Sequence, residues 1–79
     1  MTPAQCRAAR ALVSLSQEDT AVIAHVSVQT LIAFESGRRQ PYDKNLTAIR
    51  AALEEAGVEF IAENGGGAGV RLKGSTLHD

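Results

Sequence analysis

Four side chains of this 79-residue chain could be combined on paper into an acyl-transfer site: Ser14, Ser16, His25 and Glu35. Such chemistry needs a nucleophile, a base and an acid within hydrogen-bond reach of one another. The local pattern gives Ser16 a different role, because Asp19 three residues later makes it a helix N-cap. No glycine-rich phosphate loop precedes a helix either, since "NGGGAG" is followed by a strand-like segment. We therefore expect no enzyme.

Metal and thiol chemistry are also not indicated by the sequence. The single cysteine and the two histidines are far apart, so they lack the spacing of metal ligands, and we expect neither a metal nor a cofactor. Cys6 lies three residues before Ala9 and four before Arg10, on the inward side of the first predicted helix. A small buried residue is the expected role of Cys6, ahead of a reactive thiol.

Charge and hydropathy restrict the class of protein. The net charge is −1, but residues 1–50 carry +2 and residues 51–79 carry −3. A net positive charge of this size in the N-terminal part of the chain is compatible with DNA binding without demonstrating it. The chain has no apolar run of the roughly 18 residues that span a membrane, and its N-terminus lacks the apolar segment of a signal peptide. We expect one small cytoplasmic domain that gains stability by forming oligomers.

Capping residues and apolar periodicity predict four helices. Thr2, followed by Pro3, begins the first helix, and Ser16 begins the second, over about residues 17–24. Ser27 begins a third helix that ends near Gly37, and the fourth helix ends at Gly57. Asp43 is the expected N-cap of the fourth helix. One face of that helix is apolar at three- and four-residue spacing, at Leu46, Ile49, Ala52, Leu53 and Ala56.

The stretch "HVSVQTLIAFESG", residues 25–37, joins the second and third helices through a tight corner. His25 lies at the corner, where a left-handed backbone conformation is expected. Two short helices joined in this way are typical of a helix-turn-helix motif, whose second helix enters a DNA groove.

After Gly57 the apolar period changes to two, which predicts a β-hairpin over residues 58–73 around a loop with four glycines. Glu59 and Glu63 can pair with Arg71 and Lys73 on its charged face. An isolated hairpin is marginal, so it must pack on the helices or on a second chain. We expect it to be a dimerisation element, with these interface residues: Val58, Phe60, Ile61, Val70 and Leu72. In the alternative, the hairpin only covers the fourth helix. Residues 74–79 are expected to be a flexible tail.

The segment "SQEDTAVIAHVSVQTLIAFESGRRQP" resembles the DNA-binding domain of the Cro/C1-type (XRE) transcriptional regulators. The resemblance covers roughly residues 4–57. The matching residues are Arg10, Ser16, Gln17, Glu18, Ala21, Ala24, Val26, Ser27, Thr30, Leu31, Glu35, Gly37 and Pro41. It implies a mainly α fold, in which residues 1–57 form a four-helix, lambda-repressor-like helix-turn-helix domain ahead of the hairpin.

The resemblance also implies roles for individual residues. Gln17 matches a position that contacts a phosphate at a helix N-terminus. Arg10 and Glu35 match a partly buried salt bridge between the first and third helices. The complete set expected to bind DNA lies on the second helix, the third helix and the loop after it: Gln17, Ser27, Val28, Gln29, Thr30, Ile32, Ala33, Arg38, Arg39 and Lys44.

Several departures from the family pattern make this helix-turn-helix unusually apolar. Thr20 replaces an inward leucine, while Val22 and Ile23 replace residues that are usually polar. Val28 and Ile32 could contact thymine methyl groups, with Gln29 hydrogen-bonding adenine. The competing interpretation is that the apolar surface binds a protein.

Two functions therefore remain open at the level of the sequence. The first is a homodimeric DNA-binding transcriptional regulator, a repressor or autorepressor that contacts an inverted repeat in double-stranded DNA through the third helix. The second is a protein-binding module, antitoxin- or antiactivator-like, that uses the apolar face of the second and third helices.

Overall fold

The computed structural model describes residues 1–74, within which four helices are followed by one two-stranded antiparallel sheet. The elements, in chain order, are α1 (Pro3–Val13), α2 (Gln17–Ala24), α3 (Val28–Glu35), α4 (Asp43–Glu55), β1 (Val58–Ile61) and β2 (Gly69–Leu72). The predicted mainly α fold with a C-terminal hairpin is confirmed. The predicted tail falls outside the described residues from position 75 onward.

Helix starts follow the predicted capping chemistry with one exception. The Thr2 hydroxyl accepts from the Gln5 N–H, and the Ser16 hydroxyl accepts from the Asp19 N–H, each within a reciprocal capping box. The prediction that Asp43 caps α4 is wrong. Asp43 is the first helical residue, and Tyr42 is the N-cap without a side-chain cap bond. A carboxylate in the first turn still stabilises the helix, because it faces the positive end of the helix dipole.

Two left-handed residues set the directions of consecutive helices. His25 has φ 60° and ψ 40°, as predicted for the corner, and Ser14 has φ 57° and ψ 36° at the end of α1. After each of them the next N–H reaches back over the helix end, from Leu15 to the Arg10 carbonyl and from Val26 to the Ala21 carbonyl. These bonds satisfy terminal carbonyls and fix the exit angle of the chain.

One core joins all six elements. Its largest fully buried side chains are Phe34, Leu31, Ile49, Leu53, Val58, Thr20 and Cys6. Thr20, at which the resemblance implies a leucine, donates its hydroxyl to the Ser16 carbonyl at 2.9 Å. The substitution therefore removes apolar volume from the core but leaves no buried hydroxyl unpaired.

The hairpin packs its apolar face onto the helices of its own chain. Val58 pairs with Leu72, and Phe60 pairs with Val70. Val58 is completely buried, and Phe60 and Val70 pack partly buried against the core. Val58 is thus part of the core and is removed from any surface. Among the residues expected at a dimer interface, Leu72 remains 52% exposed.

The charged face of the hairpin agrees in part with the expectation. Glu59 and Arg71 are paired in the register, and two hydrogen bonds of 3.0 and 3.1 Å join their side chains. Glu63 instead accepts from the N–H groups of Gly65 and Gly67. The strand pairing ends at Ile61, so Glu63 lies beyond the last pair and turns into the loop.

A buried glutamine fastens the hairpin to α1. The Gln5 side-chain amide donates to the carbonyl of Ile61 at 3.1 Å and to that of Gly69 at 2.9 Å. Its carbonyl oxygen accepts from the Thr2 N–H at 2.8 Å. Gln5 is only 8% exposed, so these polar groups are shielded from water and depend on one another.

We predict that Gln5→Ala destabilises the fold by about 2–3 kcal/mol, because it removes three partly buried hydrogen bonds: those to the Ile61 and Gly69 carbonyls and that from the Thr2 N–H. Thr2→Ala, which removes the cap hydroxyl and leaves the hairpin bonds, should cost only about 1 kcal/mol. Urea unfolding of both variants measures the difference. Equal losses for the two variants would show that the bonds to Ile61 and Gly69 contribute nothing.

Candidate nucleic-acid interface

α3 divides its residues between the core and the surface. Leu31, Phe34 and Glu35 are buried, while Gln29 is exposed and Ile32 is 37% exposed. The remaining outward residues, Val28, Thr30 and Ala33, are half-buried. Within α3, Gln29 is therefore the exposed side chain with hydrogen-bonding groups, which it directs away from the core.

The start of α3 is held by two hydroxyl groups. Ser27 accepts from the Thr30 N–H at 3.1 Å, and the hydroxyl oxygens of the two residues lie 2.8 Å apart. This arrangement secures the first turn, so that Val28 and Gln29 are presented from a rigid helix end.

A groove of about 720 Å³ separates α3 from the loop that leads to α4. One wall consists of Gln29, Thr30 and Ala33. The loop after α3 contributes Arg38 and Arg39 to the lining, and both residues are exposed. The structure thus brings five of the expected DNA-binding residues to one concave, positively charged surface.

Four residues of this groove were not among the expected DNA-binding residues: Gln40, Pro41, Tyr42 and Asn45. Tyr42 is 82% exposed, and it occupies an N-cap position without capping the helix. Serine, threonine, aspartate and asparagine are the usual N-caps. Because the sequence analysis assigned the cap to Asp43, no local signal distinguished Tyr42.

Lys44, Gln17 and Ile32 lie apart from this groove. Lys44 is exposed on the first turn of α4 but does not line the groove. Gln17 and Ile32 line a second, shallower depression beside Glu18. The Gln17 amide donates to Glu35 at 3.1 Å, so one of its two N–H groups is already used.

The carboxylate of Glu35 joins three helices. Arg10 donates to it through two nitrogens, at 2.6 Å from Nε and 2.8 Å from Nη2. Cys6 and Gln17 each add a hydrogen bond at 3.1 Å, and Arg7 donates to the backbone carbonyl of Glu35. The Arg10–Glu35 pair expected from the resemblance is therefore present and belongs to a larger network.

Glu35 is 3% exposed, so the stability of the fold depends on whether its carboxyl group is charged. Burial raises the pKa of a carboxyl group, but hydrogen bonds from Arg10, Cys6 and Gln17 outweigh that effect. The net result is a pKa of Glu35 below its ordinary value of 4.5. The carboxylate form is thus the one that the fold requires.

Cys6 is fully buried, as the sequence predicts, and its thiol also serves as a donor to Glu35. Burial raises the pKa of the thiol, and the adjacent Glu35 carboxylate raises it further. Cys6 therefore stays protonated, which suits a hydrogen-bond donor and not a nucleophile.

The residues considered for catalysis are dispersed by the fold. Ser16 caps α2, His25 is exposed at the corner after α2, and Glu35 lies in the buried network. Within residues 1–74, no group of three histidine, cysteine, aspartate or glutamate side chains is placed to hold a metal ion. None of the described helices has the length and apolar character needed to cross a membrane.

A family model for helix-turn-helix domains matches residues 7–60, which is more than half of the chain. The chain belongs to the Cro/C1-type (XRE) helix-turn-helix family. The matched range contains all four helices except the start of α1, together with the whole groove. No curated protein matches the sequence.

Membership of this helix-turn-helix family confirms the prediction and gives the function in general terms. The family consists of DNA-binding regulators and is not a family of enzymes. This chain is therefore a DNA-binding helix-turn-helix regulator.

We predict that Glu35→Gln destabilises the fold by about 3 kcal/mol, because it leaves the largely buried Arg10 without a counter-charge. Since the folded-state pKa of Glu35 is lowered, its contribution is present above pH 4.5 and is lost as the pH falls through the folded value. Unfolding measured across acidic pH should show a flatter profile for the variant than for the wild type. Unchanged stability at neutral pH would contradict a structural role for the pair.

Proposed function

We propose that this regulator binds specific DNA sequences by inserting α3 into the major groove. The observation that carries the proposal is the exposed amide of Gln29, which shares one groove with Arg38 and Arg39. An amide at this place can contact base edges, while the guanidinium groups bind the phosphates of the same strand.

The apolar character of α3 then has a use in sequence recognition. The Gln29 amide can donate to N7 and accept from N6–H of adenine, so it favours that base. Ala33 lines the groove, and Val28 and Ile32 lie on α3 outside it. The methyl groups of these three residues suit the C5-methyl of thymine. We infer a half-site that includes A·T base pairs.

Phosphate contacts supply most of the affinity in this proposal. Arg38 and Arg39 carry the charge, and Tyr42 and Asn45, which line the same groove, offer a hydroxyl and an amide as neutral donors. Lys44 and the remaining N–H of Gln17 lie outside the groove, where they are suited to neighbouring phosphates. Glu18 and Asp19 in the first turn of α2 weaken the attraction between this end of the helix and the phosphates.

A homodimer on an inverted repeat completes the proposal. One helix contacts only a few base pairs, so useful specificity requires two half-sites. The half-exposed Leu72 and the partly buried Ile61 are the apolar residues of the hairpin left available for a second copy. Bound over its own promoter, such a dimer would act as an autorepressor by covering DNA.

A second candidate function rests on a separate surface. Val22 is 74% exposed and Ile23 is 48% exposed on the outer side of α2, and neither lines the groove. Large exposed apolar side chains in adjacent positions are typical of protein-binding surfaces. An interaction module that docks a protein on α2 is the alternative to DNA as the main partner.

We predict that Gln29→Ala relaxes base preference at one position of each half-site and costs about 1–3 kcal/mol there. Arg38→Ala and Arg39→Ala should weaken binding to all sequences. Each should also reduce, by roughly 0.9, the steepness with which the logarithm of the binding constant falls with the logarithm of the salt concentration. Glu55→Gln, on the exposed rear of α4, is the control and should leave binding unchanged.

Fluorescence anisotropy on an operator selected from random DNA, repeated at several salt concentrations, measures these effects. Equal loss on the operator and on random DNA for Gln29→Ala would remove Gln29 from base recognition. The absence of DNA binding by the wild-type dimer would favour the protein-binding alternative.

We predict that Leu72→Lys weakens self-association, because it places a charge at the proposed contact while leaving the buried Val58 in place. Val22→Lys, which changes an exposed apolar residue on the alternative candidate surface of α2, is the matched control. Sedimentation velocity over a range of concentrations compares the two. If Val22→Lys weakens the dimer and Leu72→Lys leaves it intact, the interface lies on α2 and not on the hairpin.

A further inference from the structure

The chain has two asparagines, one in a helix and one in an exposed loop. Asn45 is in the first turn of α4, followed by Leu46. Asn64 is exposed in the loop between β1 and β2, followed by Gly65. An asparagine side chain is electrophilic at Cγ, and the backbone nitrogen of the next residue is the nucleophile that can reach it.

We propose that Asn64 is a site of spontaneous covalent modification by deamidation. The Gly65 nitrogen loses its proton to a base in solution and attacks Cγ of Asn64. The new C–N bond closes a five-membered succinimide, and the side-chain nitrogen leaves as ammonia. Water then opens either carbonyl of the ring, which produces aspartate or isoaspartate at position 64 with no oxidant, metal or cofactor.

The local structure permits this ring closure at Asn64. Gly65 has no Cβ to obstruct the approach of its nitrogen to the preceding side chain. Both residues are exposed and lie outside the strands, and the Gly65 N–H donates to the flexible Glu63 side chain rather than to the backbone of a helix or strand. Among residues 1–74, no hydrogen bond holds the Asn64 side chain in place.

The same reaction is obstructed at Asn45. The Leu46 nitrogen donates to the Tyr42 carbonyl at 3.0 Å, within the first turn of α4. Leu46 also carries a bulky side chain that packs against the core. Ring closure there would require the helix end to unwind, so Asn45 serves as an internal control in the same molecule.

Deamidation changes the hairpin loop in a definite way. Glu63 accepts from the N–H groups of Gly65 at 3.0 Å and Gly67 at 3.2 Å. A new carboxylate at position 64 repels Glu63, and isoaspartate also adds a methylene group to the main chain. The loop should therefore release Gly65 and Gly67, while the Gln5 bonds to Ile61 and Gly69 keep the strands attached to α1.

The test is to incubate the folded full-length chain in mildly alkaline buffer at physiological temperature and to follow both asparagine peptides by mass spectrometry after digestion. We expect conversion of Asn64 to two products, separated as aspartate and isoaspartate peptides, before any loss of amide at Asn45. Asn64→Gln should abolish the early conversion. An unmodified Asn64 over that interval, or equal conversion of Asn45, would overturn the proposal.

The structural consequence is measured by amide hydrogen exchange on the modified chain and on Asn64→Asp. We expect faster exchange at Gly65 and Gly67 in both samples and unchanged exchange at Arg71, which lies within the paired strands. Unchanged exchange at Gly65 and Gly67 would show that deamidation does not release the loop.

Discussion

The structure depends on the buried carboxylate of Glu35. Glu35 ends α3, and its side chain accepts hydrogen bonds from α1 through Arg10 and Cys6 and from α2 through Gln17. A charge buried to this degree is tolerated only when donors surround it. Because those donors come from two other helices, satisfying the charge requires α1, α2 and α3 to hold one relative arrangement.

That arrangement determines what α3 presents to a ligand. The corner at His25 fixes where α3 begins, and Glu35 fixes where it ends. Between these two points, Leu31 and Phe34 enter the core and leave no rotational freedom to the helix. The direction of Gln29 is thus a consequence of contacts made on the opposite side of α3.

Local sequence chemistry predicted a large part of this structure. The caps at Thr2, Ser16 and Ser27 and the left-handed corner at His25 each depend on neighbours within a few residues. The change of apolar period after Gly57 likewise located the hairpin. The Arg10–Glu35 pair joins positions far apart in sequence, and it was expected only through the family resemblance.

Features governed by distant packing were not visible in the sequence. An alternating pattern shows that Val58 and Leu72 share a face but not that one is fully buried and the other half exposed. The bonds from Gln5 to the hairpin span more than fifty residues. The contribution of Tyr42 and Asn45 to the groove depends on the angle between α3 and α4, which no local pattern specifies.

The apolar recognition helix follows from the shortness of α3. Eight residues must supply Leu31, Phe34 and Glu35 to the interior, which leaves few positions for base contacts. With Gln29 as the exposed amide, hydrogen bonding alone distinguishes few base pairs. The proposed DNA contacts therefore depend on methyl groups, which discriminate weakly between bases, and on phosphate contacts, which do not discriminate. In the proposed function, a regulator built on such a helix gains specificity chiefly by placing two copies of α3 on two half-sites, which is why the proposal includes a dimer.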